Sequence, residues 1–137
     1  MAFSCGEVAV EGKTFHMEVW RVGRRYQDLR VWQAAMEMAE AAYALVAGFP
    51  DSERFGLVQQ MQRSAMSVPS NIAEGYGRGG DVEFGRFLKI ARGSLFELET
   101  QLIVAERLGY GSRSDLEPFI EKVFALLSGM LRKLEGA

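Results

Sequence analysis

From Leu29 to Leu134 the apolar residues recur at intervals of three and four, the spacing that puts side chains on one face of an α-helix. Four such stripes follow one another. The first runs Leu29, Trp32, Met36, Ala39, Tyr43, Val46, and the second Val58, Met61, Ala65, Val68, Ile72. The third is Phe84, Phe87, Ala91, Leu95, Leu98, Leu102, Ala105, with Leu88 beside it, and the fourth is Leu116, Ile120, Val123, Leu127, Met130, Leu134. They predict helices over residues 28–47, 53–76, 81–108 and 114–134.

The punctuation between stripes agrees. Asp28, Asp81, and Ser114 or Asp115 stand where N-caps belong, because a short side-chain oxygen there accepts a free amide of the first turn. Gly48 and Pro50 stop the first helix and Gly109 the third. The connections are short, as antiparallel bundle neighbours require, and 3–4 stripes suit helices crossing near about +20°. The expected fold is all-α: an antiparallel up-down-up-down four-helix bundle over residues 26–137. Residues 1–25 lack the helical period. Loose alternation in Gly6–Gly12 and Phe15–Val22, around a turn at Glu11-Gly12-Lys13, predicts a short non-helical N-terminal arm or weak hairpin.

Pro69 interrupts the second stripe. It has no N–H for the carbonyl of Ala65, and its ring presses on the preceding turn. The outcome is either a kink or two helices meeting there. The stripe continues to Ile72, which favours a kink, with Ser67 and Ser70 available for freed backbone groups. The glycines that follow, Gly75, Gly77, Gly79 and Gly80, are expected to take left-handed conformations in a turn. They do not form a phosphate loop, since no strand precedes them and no Gly-Lys-Ser/Thr closes the segment.

Composition narrows the function classes. The 137 residues suffice for one domain, and 48% hydrophobic with 25% charged residues is ordinary for a water-soluble chain. A net charge of -2 argues against a polyanion-binding molecule as a whole. No apolar run reaches a membrane span, and no basic-then-apolar leader opens the chain, so a cytoplasmic protein away from membranes is expected. One cysteine and one histidine, Cys5 and His16, leave no disulfide and no Cys/His metal cluster. Carboxylate-bridged metal sites in bundles need Glu-x-x-His pairs, and the predicted helices contain no histidine. Neither a metal nor a cofactor is expected.

Charge is unevenly distributed. Residues 31–53 carry acids and no Lys or Arg, whereas residues 54–92 carry six basic against three acidic residues. Arg86, Lys89 and Arg92 recur on the third helix with Arg78 nearby, making these four the candidate nucleic-acid-binding residues. The competing reading is a solvated face whose charges pair with neighbouring acids, and no aromatic interleaves with them for base stacking. Arg63 and Glu97 are expected to meet across helices two and three as an ion pair. A catalytic role for them would need a cleft that nothing in the pattern predicts, so no catalytic residue is assigned. Trp32, Tyr43, Phe84, Phe87 and Phe124 read as core or subunit contacts. Leu88, Phe96 and Ile103, beside the stripe, suggest burial on a second side and hence oligomerisation.

The motifs together resemble a known family. They comprise Tyr26-x-Asp28-Leu29-x-Val31-Trp32, Arg63-Ser64, Ser67-Val-Pro69-x-Asn71-Ile-Ala-Glu74-Gly75, Gly77-Arg78, Phe84-x-Arg86-Phe87-Leu88-x-Ile90-Ala91-Arg-Gly93-Ser94, Glu97-Leu-Glu99-Thr100 and Leu108-Gly109-Tyr110. In order and spacing they resemble the bacterial four-helix-bundle proteins encoded in intervening sequences of 23S ribosomal RNA genes. The likeness covers about residues 26–134. It implies a ring-shaped homo-oligomer, with a pentamer favoured, and carries no catalytic activity. It marks Arg63, Pro69, Asn71, Glu74, Gly75 and Arg78 as family-motif residues, structural parts of the kink and turn. A related branch serves diversity-generating retroelements as a basic, nucleic-acid-binding accessory ring, from which this chain departs by its acidic balance. The expectation is a non-enzymatic oligomeric scaffold or interaction protein with an RNA or protein partner. The alternative is a nucleic-acid-binding accessory factor using a basic face of the ring.

Overall fold

A computed structural model describes residues 25–136. Four helices carry the fold: α1 (Arg30–Val46), α2 (Leu57–Gly77), α3 (Asp81–Arg107) and α4 (Glu117–Gly136). Single 3-10 turns precede α1, α2 and α4, at Tyr26–Asp28, Asp51–Glu53 and Arg113–Asp115. The predicted arm at 1–25 lies outside the described residues except for Arg25.

Each helix packs on two others in the cyclic order α1, α2, α3, α4. Side-chain contacts give the directions. Ser64 meets Gln101 and Ser67 meets Ser94, so α2 and α3 run oppositely. Lys89 reaches Glu135 and Phe96 touches Phe124, so α3 and α4 do too. Glu37 lies by Lys122 and Phe49 by Tyr110, which reverses α4 against α1. The up-down-up-down bundle follows.

Its core is one cluster reaching from Val31 to Leu131, with Met38, Met61, Ile72, Phe84, Leu98 and Leu127 among its fully buried side chains. Removing apolar surface of this kind from water stabilises a fold by about 1.5–3 kcal/mol per large side chain. The stripes of α2, α3 and α4 match the core they were expected to form, except that Val58, Met130 and Leu134 are only partly buried at its edge and Leu131 is buried in their place on α4. Leu88 belongs inside it, not beside it.

The stripe of α1 matches at Ala39 and Val46 only. Its buried residues are Val31, Ala34, Ala35, Met38, Ala39, Ala42 and Val46, whereas Trp32 and Met36 are only partly buried and Tyr43 is exposed. The core-facing side is turned by about one residue, or 100°, from the bulky stripe. The inward side of α1 is built largely of alanines, which a pattern weighted toward large residues overlooks.

Two helix ends also depart from expectation. The 3-10 turn uses residues 26–28, so α1 starts later and Leu29 occupies its N-cap without a side-chain bond. Asp28 then stands one position too early to reach the first-turn amides. At α3 the N-cap is Gly80, and Asp81 is the first helical residue. The C-terminus of α3 behaves as expected. Gly109 takes φ +83°, its N–H bonds Glu106 O, and the Tyr110 N–H bonds Ala105 O, closing the last turn.

Candidate functional site

Pro69 lies buried inside a helix that remains continuous from Leu57 to Gly77, so two helices do not meet there. Ser67 and Ser70 do not serve the freed carbonyl of Ala65. Ser67 Oγ instead shares a hydrogen bond with Ser94 Oγ on α3 at 2.8 Å, and Ser70 is exposed. Asn71 Nδ2 donates to Ser67 O at 2.8 Å and to Ser67 Oγ at 2.9 Å. One turn earlier, buried Ser64 Oγ donates to Gln101 Oε1 at 2.7 Å. These bonds satisfy polar groups that would be costly to leave unpaired, and they fix the register of α2 on α3.

Gly75 continues that contact by a different means. It is helical and buried, and it lets the Phe87 side chain pack against the α2 backbone. Of the four glycines expected to be left-handed, Gly79 alone is, at φ +84°. Gly77 closes α2, and Gly80 has extended backbone at φ -162°. Glycine serves close approach at position 75 and turning at position 79.

Around this turn the charges pair within the chain. Arg78 Nη2 reaches Glu74 Oε2 at 3.0 Å and Arg86 Nη2 reaches Glu83 Oε1 at 3.2 Å, all four groups being solvent-facing. Both guanidinium carbons stand over the Phe87 ring, at 5.1 Å and 4.6 Å from its centre. The hydrogen bond from Arg86 holds the Glu83 carboxyl below its ordinary range and raises Arg86 in turn. Lys89 Nζ lies 2.7 Å from Glu135 Oε2 on α4. Arg92, half-buried, has no ion pair among the described residues. Three of the four candidate nucleic-acid-binding residues thus have an acid of the same chain within ion-pair distance.

Arg63 and Glu97 are both exposed and form no ion pair with each other, correcting the expected bridge. Among the described residues, no three His, Cys, Asp or Glu side chains are grouped to hold a metal, and no helix is long and apolar enough to cross a membrane.

The outer surface holds what sequence reasoning underrated. Between α3 and α4 runs an open groove of about 190 Å³ lined by Leu95, Phe96, Glu99, Ile120, Glu121 and Phe124. Phe96 and Phe124 pack at 5.5 Å between centroids, yet remain 47% and 39% exposed. Of the aromatics read as core or subunit contacts, Phe84 and Phe87 are core, while Tyr43 and Phe124 are exposed at 43% and 39%. The signal for the groove was the pair of positions just off the α3 and α4 stripes.

Residues 27–133 match the family model described as 23S rRNA-intervening sequence protein. No curated protein matches the chain.

Proposed function

The chain belongs to the 23S rRNA-intervening sequence protein family, and from that premise we propose that it acts as a non-enzymatic, homo-oligomeric scaffold or interaction protein in the bacterial cytoplasm, with a pentameric ring as the favoured assembly. The observation that carries this reading is large apolar surface left outside a filled core. Tyr43, Met66, Phe96 and Phe124 are each more than a third exposed, and such side chains gain about 25 cal/mol for every Å² that a partner covers. The polar groups of the motif support the same reading, because Ser64 bonds Gln101 and Ser67 bonds Ser94 between α2 and α3, while Asn71 bonds Ser67 within α2. The alternative, an accessory factor binding nucleic acid through Arg78, Arg86, Lys89 and Arg92, is disfavoured by the acids that already engage three of them.

Copurification from the native host, with bound proteins identified and bound RNA sequenced from one preparation, tests the choice. A protein partner on an oligomeric bundle supports the scaffold. RNA recovered reproducibly and released by salt supports the accessory factor instead.

A further inference from the structure

We infer that the α3/α4 groove is the seat of the α1/α2 face of a second copy of this chain. The inference rests on the homo-oligomeric reading above and adds which surfaces meet.

The two surfaces lie on opposite sides of the bundle. Counting about 100° per residue, Trp32, Met36 and Tyr43 share the flank of α1 away from Glu37, whose carboxylate lies by Lys122 of α4. That flank is the α2 side. Met66 leaves α2 opposite Ser64, which bonds α3, and is 41% exposed. Met36, Tyr43 and Met66 therefore form an apolar face along α1 and α2. Phe96 and Phe124 form the other along α3 and α4.

The faces also match in height and charge. Met66 adjoins Ser67, which bonds Ser94, so Met66 and Phe96 lie within about 3 Å of the same level along the bundle. Arg63 adjoins Ser64, which bonds Gln101, so Arg63 stands within about 5 Å of the level of Glu99, inside the reach of its long side chain, and the groove neighbour of Glu99 is Glu121. None of Arg63, Glu99 and Glu121 has an ion pair among the described residues. Set side by side with their axes parallel, two copies place methionine sulfur against two phenyl rings, a favourable contact. The same placement sets the Arg63 guanidinium against two carboxylates. A contact of the α3/α4 groove with its own kind would leave Met36, Tyr43 and Met66 uncovered, whereas joining unlike faces covers both. Unlike-face contacts repeat from copy to copy, and they close into a ring when each copy is also turned by a fixed angle about an axis parallel to the bundle.

The test uses full-length protein, light scattering for mass and circular dichroism to verify folding. One variant, Phe96→Asp with Phe124→Asp, disables the groove; a second, Met36→Asp with Met66→Asp, disables the other face. Each alone should be monomeric. Mixed in equal amounts they should form a dimer and stop there, since each still has one working face. A second pair uses charge alone: Arg63→Glu and Glu121→Arg should each weaken the wild-type assembly by at least tenfold in concentration, and the double variant should recover it. Should a double-aspartate variant fail to fold, the charge pair decides. A mixture that stays monomeric, a groove-dead monomer beside a Met-dead oligomer, or charge variants without effect or rescue would overturn the pairing while leaving the oligomer intact. A monomeric wild type would overturn the oligomeric reading and the pairing with it.

Discussion

A Cβ placed on Gly75 would stand 2.5 Å from the Cβ of Phe87. No real pair of such atoms comes so close, and the atom it meets is fixed to the α3 backbone, not the free end of a side chain. The absence of a side chain at position 75 therefore sets how near α2 and α3 approach at their shared end, where Phe84 and Phe87 pack.

Gly75→Ala should force the helices apart. Overpacking costs about 1–3 kcal/mol, offset by up to about 1 kcal/mol of helix propensity. The expected net loss is about 1–2 kcal/mol, read from urea unfolding. Gly77→Ala is the control, since nothing lies within 4 Å of the added atom; it should be neutral or slightly stabilising. Equal effects at both positions would remove the close-approach argument.

Much of this fold was legible because helical period survives in a stripe even when individual residues are misjudged. Val68, Ile72, Leu98 and Leu102 are buried as their spacing requires. Trp32 and Tyr43 misled for a physical reason: period marks a large apolar residue without saying whether core or solvent lies beside it, and Ala34 and Ala35 gave too weak a signal to compete. The roles of the motif residues were less legible. Ser67, Ser94 and Asn71 lie close only after α2 and α3 pack, and nothing local marks Gly75 as a packing glycine and Gly79 as a turning one. The Phe96–Phe124 groove depends on the register of α3 on α4, which no single stripe carries.

At the opposite end of the bundle, Tyr110 Oη donates to Glu53 Oε2 at 2.9 Å, and Glu53 Oε1 accepts the Leu57 N–H at 3.2 Å. The hydrogen bond to Glu53 raises the Tyr110 phenol above its ordinary 10.0, with burial and the Glu53 charge adding to the shift. A raised folded pKa means the neutral phenol is favoured by folding. Its contribution is complete below about pH 10 and is lost as pH climbs through the folded value. Tyr110→Phe should lower the unfolding midpoint at pH 7, and its difference from wild type should shrink above pH 10. A difference independent of pH would show that the pair contributes nothing through its proton.

Replacing Arg86, Lys89 and Arg92 together with Gln should leave stability little changed, because solvent-exposed pairs contribute weakly. It should also leave no RNA binding to lose, since Arg86 and Lys89 already face Glu83 and Glu135. Saturable, salt-dependent RNA binding by the wild type that disappears in the triple variant, with the assembly intact, would favour the accessory-factor reading.

Light scattering on the purified wild-type chain at micromolar concentration tests the account most directly. The apolar side chains on opposite faces of the bundle predict a discrete particle whose mass is a whole multiple of the 15.3 kDa subunit, with five copies expected. A homogeneous 15.3 kDa species across that range would contradict the account, for it would mean that Tyr43, Met66, Phe96 and Phe124 face water in the working protein.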